Sequence, residues 1–123
     1  MKATLKNGSP ASDPDIWYLD SGATVHFSPH RDQFKSYQTL DKPLEIETAQ
    51  GTIYGIGKGT IMVEAVADDD VNILQLRNVV HAPEMSVNLL SAIVLYDLGF
   101  EVSMKPGHDV NILRNGSLIA NTV

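Results

Sequence analysis

The sequence predicts a small, mostly β domain with one late helix, and three observations carry that prediction. Apolar and polar residues alternate in Leu44–Thr48, the period of a half-exposed strand. The stretch from Ala49 to Gly59 is too rich in glycine for a helix and fits a mobile hairpin. Only Asn88–Leu98 shows an apolar stripe at helical spacing, through Leu89, Leu90, Ile93, Val94 and Leu98.

In chain order, Met1–Asp15 has no apolar signal core and reads as a polar linker punctuated by Gly8, Pro10 and Pro14. Residues 16–123 form the domain. Ile16–Leu19 is the first strand, since Trp17, Tyr18 and Leu19 suit a buried pleat. It ends on Asp20-Ser21-Gly22-Ala23, where Gly22 lets the backbone turn sharply. Thr24–Ser28 begins a second strand. Pro29–Pro43 reads as a polar connection, with Phe34 and Tyr37 packing beneath the sheet.

After Leu44–Thr48 the hairpin tip falls at Ala49-Gln50-Gly51-Thr52, because alternation resumes on both sides of it, and Gly55–Gly59 is a mobile returning arm. A tip at Gly55-Ile56-Gly57 is the open alternative. Thr60–Ala67 and Val71–Val80 pair across the acidic turn Asp68-Asp69-Asp70, and Pro83 closes that region. Ser86 or Asn88 caps the helix and Gly99 stops it. Glu101–Lys105, Val110–Leu113 and Ser117–Ala120 are short strands, the last two joined by a type I′ signal at Asn115-Gly116.

Composition narrows the chemistry. A chain of 123 residues is one domain and can build a core without disulfides or metals. No cysteine is present, which removes disulfides, thiolate chemistry and cysteine-bound zinc. No run approaches the roughly 18 apolar residues of a membrane span. The net charge of −6 argues against direct nucleic-acid binding. His26, His30, His81 and His108 are scattered, and Pro29 spoils any helical pairing of the first two, so they read as packed or surface residues and no metal is expected. Asp68-Asp69-Asp70 lacks the spaced oxygen ligands of a calcium loop and reads as a solvated turn. Gly55, Gly57 and Gly59 have the wrong spacing for a nucleotide loop. Asn7-Gly8-Ser9 and Asn115-Gly116-Ser117 fit the glycosylation pattern but read as turns in an intracellular soluble domain.

The feature with chemical content is Asp20. A carboxyl at the end of a buried strand is costly to desolvate and wants a reason. Either it caps its own turn, as Asp does in many such sequences, or it is used.

Trp17-Tyr18-Leu19-Asp20-Ser21-Gly22-Ala23-Thr24, with His26 shortly after, resembles a retropepsin, specifically the protease domain of copia-type LTR retrotransposon polyproteins. Ala49-Gln50-Gly51, Gly57–Ile61, Leu76–Pro83 and Val87-Asn88-Leu89-Leu90-Ser91 follow in the same order, leading into Leu98-Gly99-Phe100. The resemblance implies a closed retropepsin-like (acid protease) β-fold in which each chain supplies one catalytic turn, one flap and one helix. With a single such turn, the chain looks like the homodimeric type.

By the same resemblance Asp20 is catalytic, Ser21 hydrogen-bonds across the dimer axis, and Gly22 brings its backbone to the substrate. Ala23 and Thr24 form a cleft wall, and Ala49, Gln50, Gly51 and Thr52 form the flap tip that covers the substrate. Two like charges about 3 Å apart cannot both ionise, so two Asp20 carboxyls would share one proton. The ionised one activates water while the protonated one donates to the scissile carbonyl. No cofactor is implied. The implied substrate is the element's own Gag-Pol polyprotein, cut in the cytoplasm within virus-like particles, and Met1–Asp15 is then a polyprotein remnant. The chain departs from viral retropepsins at Val87, where those enzymes carry an arginine paired to an aspartate beyond the turn. Three alternatives stay open: a cellular retropepsin-like protease, a catalytically silent domesticated dimerisation or binding module, and a monomer with half a site.

Overall fold

The computed structural model describes residues 2–6, 13–67, 70–105 and 109–121. Its strands are β1 (Lys2–Lys6), β2 (Ile16–Asp20), β3 (Phe27–Ser28), β4 (Phe34–Thr48), β5 (Gly51–Ala67), β6 (Asp70–His81), β7 (Asn88–Ser91), β8 (Phe100–Lys105), β9 (Asp109–Arg114) and β10 (Ser117–Asn121). The helix α1 is Ala92–Asp97. Seven strands form a sheet in the order β1-β2-β7-β3-β6-β5-β4, and β5 also pairs with β1, so six of them complete a hydrogen-bonded circuit. β8, β9 and β10 make a separate three-stranded meander. The fold is mostly β with one short helix, as the patterning predicts.

The core follows from alternation along the strands. Ile61, Val63, Ala65 and Ala67 are buried at every second position of β5, while the residues between them are partly exposed. Trp17 from β2, Leu76 and Val79 from β6 and Leu95 from α1 complete one side of the cluster. Phe100, Val110, Ile112 and Ala120 supply the meander's side. A smaller cluster of Ala23, Phe27 and Val80 packs with Val25, Ile46, Met85 and Leu89 next to the cleft described below.

Several expectations change on the structure. Asn88–Ser91, expected to open the helix, is the strand β7. It lies parallel to β2, with Asn88 beside Trp17 and Ser91 beside Asp20, and antiparallel to β3 at Leu89. The adjacent Leu89 and Leu90 also suit a short strand covered on both faces, and here the ladder hydrogen bonds to β2 and β3 outweigh helical periodicity. The helix is only the six residues that follow. Its cap is Ser91, whose Oγ accepts the Val94 N–H at 3.1 Å, and neither Ser86 nor Asn88 plays that role. The predicted stripe is accordingly broken, with Ile93 44% and Leu98 57% exposed. Gly99 does stop the helix, at φ +92°.

Pro29–Pro43, expected as a connection, is a 3-10 turn at Arg31–Gln33 followed by most of β4. Pro43 falls where the β4–β5 register breaks between Thr39 and Leu44, so its missing N–H costs no ladder bond. Phe34 and Tyr37 do pack against the core. The glycines of the Gly55–Gly59 arm serve close packing in a paired strand. A Cβ at Gly57 would run into the Tyr37 ring, and one at Gly59 into the Ser36 carbonyl.

Lys2–Lys6, within the expected linker, pairs as β1 with β2 and β5. Thr24–Ser28 shortens to a two-residue strand. The late strands fall as predicted, and Asn115 and Gly116 take φ +52° and +80° in the turn between β9 and β10. The Gly8 and Pro10 breaks, Asn7-Gly8-Ser9, Asp68-Asp69 and His108 lie outside the described residues.

Candidate active site

β2 delivers Asp20 to the rim of the circuit, where it is half-buried and in register with Ser91. Its Oδ1 accepts the Gly22 N–H at 2.8 Å, which spends one carboxyl oxygen on the turn. Capping and use are therefore compatible. Ser21 and Gly22 are exposed at the tip of the turn.

A set of buried polar side chains holds this turn from beneath. Ser91 Oγ donates to the Ala23 carbonyl at 2.7 Å. The Ser91 N–H donates to His26 Nδ1 at 2.9 Å. Ser28 Oγ donates to Asn88 Oδ1 at 2.6 Å, and Asn88 Nδ2 donates to the carbonyls of Pro14 and Ile16 at 2.9 and 3.0 Å. The backbone of β6 completes the frame, with Val80 N–H on the His26 carbonyl and Ala82 N–H on that of Ser28. The segment 23–28 is thus tied down along its length by residues far away in sequence. Val87 is buried.

His26 is 2% exposed, and burial pushes its pKa from 6.5 down to about 4. The ring is neutral, with Nδ1 the acceptor of the Ser91 bond. The folded-state value lies below the unfolded one, so between pH 6.5 and about 4 the unfolded chain binds the extra proton. Stability from this group is complete above pH 6.5 and drains away as pH falls to about 4, on the order of 3 kcal/mol in all. Urea unfolding of wild type and His26→Asn at pH 7 and pH 4.5 checks this: the wild type should lose more stability than the variant, and equal losses would contradict it.

The turn faces a cleft of about 830 Å³. Asp20, Gly22, Ala23 and Thr24 line one part, and Leu44–Thr48, Gln50 and Ile53 of the β4–β5 hairpin line another. Val25, Phe27 and Leu89 lie between, and Glu84, Met85 and Ser86 form a further wall. The hairpin tip is at Ala49-Gln50, where Thr48 faces Gly51. Among the residues singled out from the sequence, Asp20, Gly22, Ala23, Thr24 and Gln50 reach this cleft. Ser21, Ala49, Gly51 and Thr52 are exposed and do not line it.

Sequence reasoning missed the 84–86 wall and the cleft-facing role of Leu44, Ile46 and Ile53. The wall reaches the turn because β3 pairs in parallel with β6, Phe27 beside Val80 and Ser28 beside His81. No local signal announces that contact; Pro83 marks only the end of a strand. Of the histidines, His26 and His81 are buried and His30 is half-buried. Among the described residues, no three His, Asp or Glu side chains converge as metal ligands.

Residues 17–100, from β2 to the first residue of β8, match the family described as Pol polyprotein, beta-barrel domain. A transposon Ty5-1 protein, YCL075W, of Saccharomyces cerevisiae is 29% identical over 87 residues, which cover 71% of this chain and 54% of that protein. The match therefore spans about half the length of that relative. The turn, the hairpin and β7 all fall inside the family match, and the chain belongs to the Pol polyprotein beta-barrel domain family, a retrotransposon Pol-related domain.

Proposed function

We propose that this domain is a homodimeric aspartic endopeptidase of the retropepsin class, of copia type, that processes a retrotransposon polyprotein. The observation that carries the proposal is that the Asp20 turn and the Leu44–Ile53 hairpin line one cleft. The chain contains one Asp-Ser-Gly turn, and acid–base attack by water needs a carboxylate and a carboxylic acid together. Two copies meeting at their exposed Ser21-Gly22 tips would supply both. An extended peptide would lie between hairpin and turns, held by main-chain hydrogen bonds, with apolar side chains in the Phe27–Leu89 region. The Asp20–Gly22 hydrogen bond fixes one carboxyl oxygen and so orients the group before substrate arrives.

A second reading is favoured by the family description, which names a β-barrel domain and no protease. On that reading the cleft binds a peptide without cutting it. Dilution separates the two. Specific activity on a polyprotein-derived peptide pool should fall on dilution and be rescued by joining two chains through a flexible linker. Constant specific activity down to concentrations where light scattering shows only monomer would contradict the proposal, and complete absence of cleavage by the linked dimer would favour the binding module.

A further inference from the structure

One residue, Ser91, meets the Asp20 turn at three points. Its backbone stands beside Asp20 in the β2–β7 ladder, which fixes where the turn begins. Its Oγ donates to the Ala23 carbonyl at 2.7 Å, which fixes where the turn ends. Its N–H donates to His26 Nδ1 at 2.9 Å, which fixes the chain beyond. β3 pairs with β7 only at Phe27 and Leu89, so at Ser91 the imidazole takes the place of a backbone acceptor. Ser91 and His26 are buried and neither lines the cleft, so neither is placed to touch a substrate. Ser21 and Gly22, between the pinned points, are exposed.

Resting on the reading of this cleft as a peptide-cutting site, we propose that Ser91 and His26 are positioning residues for Asp20, a buried brace that aims the turn. Two carboxyls that share a proton must lie about 3 Å apart, so each turn has to reach its twin with little freedom. Misplacing a reacting group by about 1 Å can cost on the order of 100-fold in rate. A turn held only by its own Asp20–Gly22 hydrogen bond keeps its local shape but not its aim. The peptide would be gripped by the hairpin and by the apolar floor of Phe27 and Leu89. That floor is held separately, through pairing of β3 with β6 and β7. Loosening the brace therefore slows turnover and leaves peptide affinity nearly unchanged.

The test compares Ser91→Ala, which removes the bond to Ala23, with His26→Leu, which removes the acceptor and leaves the α1 cap intact. His26→Asn is the conservative partner, since its Oδ1 can accept the same N–H. Ile112→Val, in the core of the meander, controls for lost stability alone. Kinetics on folded protein give kcat, and anisotropy of one fluorescein-labelled peptide from the polyprotein-derived pool, in the Asp20→Asn background, gives Kd. Relaxation of the Ala23 amide nitrogen gives its order parameter. In Ser91→Ala and His26→Leu, kcat should fall about 10- to 100-fold while Kd moves by less than about twofold. The Ala23 order parameter should drop from about 0.85 toward about 0.6 in both. His26→Asn and Ile112→Val should match the wild type in all three. A kcat loss shared by Ile112→Val, equal losses in His26→Asn and His26→Leu, affinity that falls in step with kcat, or an unchanged Ala23 order parameter would overturn the proposal. No cleavage by the linked wild-type dimer would instead sink the protease reading, and the order parameters alone would then decide whether the brace holds the turn.

Discussion

Asp20→Asn is expected to abolish peptide cleavage while the domain stays folded. An amide can neither take a proton from water nor give one to a scissile carbonyl, so both roles of the shared-proton pair disappear at once. The rate should drop by roughly 10³-fold or more, the upper part of the range for acid–base contributions. Folding should survive, because the asparagine Oδ1 can still accept the Gly22 N–H that Asp20 accepts at 2.8 Å. The half-buried side chain is also nearly unchanged in volume. Cleavage of a peptide pool, read alongside thermal melting, checks both halves. Cleavage at the wild-type rate would move the chemistry away from this turn.

Asn88→Leu should produce the largest loss of stability. The Asn88 side chain is fully buried and is the common partner of Ser28 Oγ and of the Pro14 and Ile16 carbonyls. Leucine fills the space but satisfies none of them. Each polar group left without a partner in a buried place costs about 1–3 kcal/mol, so a total near 4 kcal/mol is expected. For a domain of this size that lowers Tm by on the order of 10 °C or more. Urea unfolding gives the number directly, and a loss under about 1 kcal/mol would show that solvent reaches these groups.

Those two residues also mark what could be read in the sequence and what could not. The Trp17–Ala23 strand-and-turn is encoded locally: a buried strand, a polar stop and a glycine stand within seven residues. Asn115-Gly116 is equally local, since both positions need the left-handed backbone that these residue types tolerate. The hairpin tip at Ala49-Gln50 was legible from the alternation flanking it. Asn88 was misread because its partners lie some 60 to 74 positions away, so nothing nearby distinguishes a capping asparagine from a buried bridge. The leucines after it fit a helix and a strand equally well. Gly57 and Gly59 suggested mobility, yet their reason is the approach of Tyr37 and Ser36 from β4. Part of the cleft was hidden in the same way. Glu84 and Met85 become its wall only through parallel pairing of β3 with β6, which no short segment can announce.

The most direct test of a site shared between two chains is to mix them. Wild-type protein and Asp20→Asn protein are combined at fixed total concentration, allowed to exchange, and assayed on one peptide. If each working site needs an acid from both chains, an equal mixture keeps about a quarter of the wild-type activity, because activity follows the square of the intact fraction. A linear decline, with half the activity left in that mixture, would mean that each chain cuts alone.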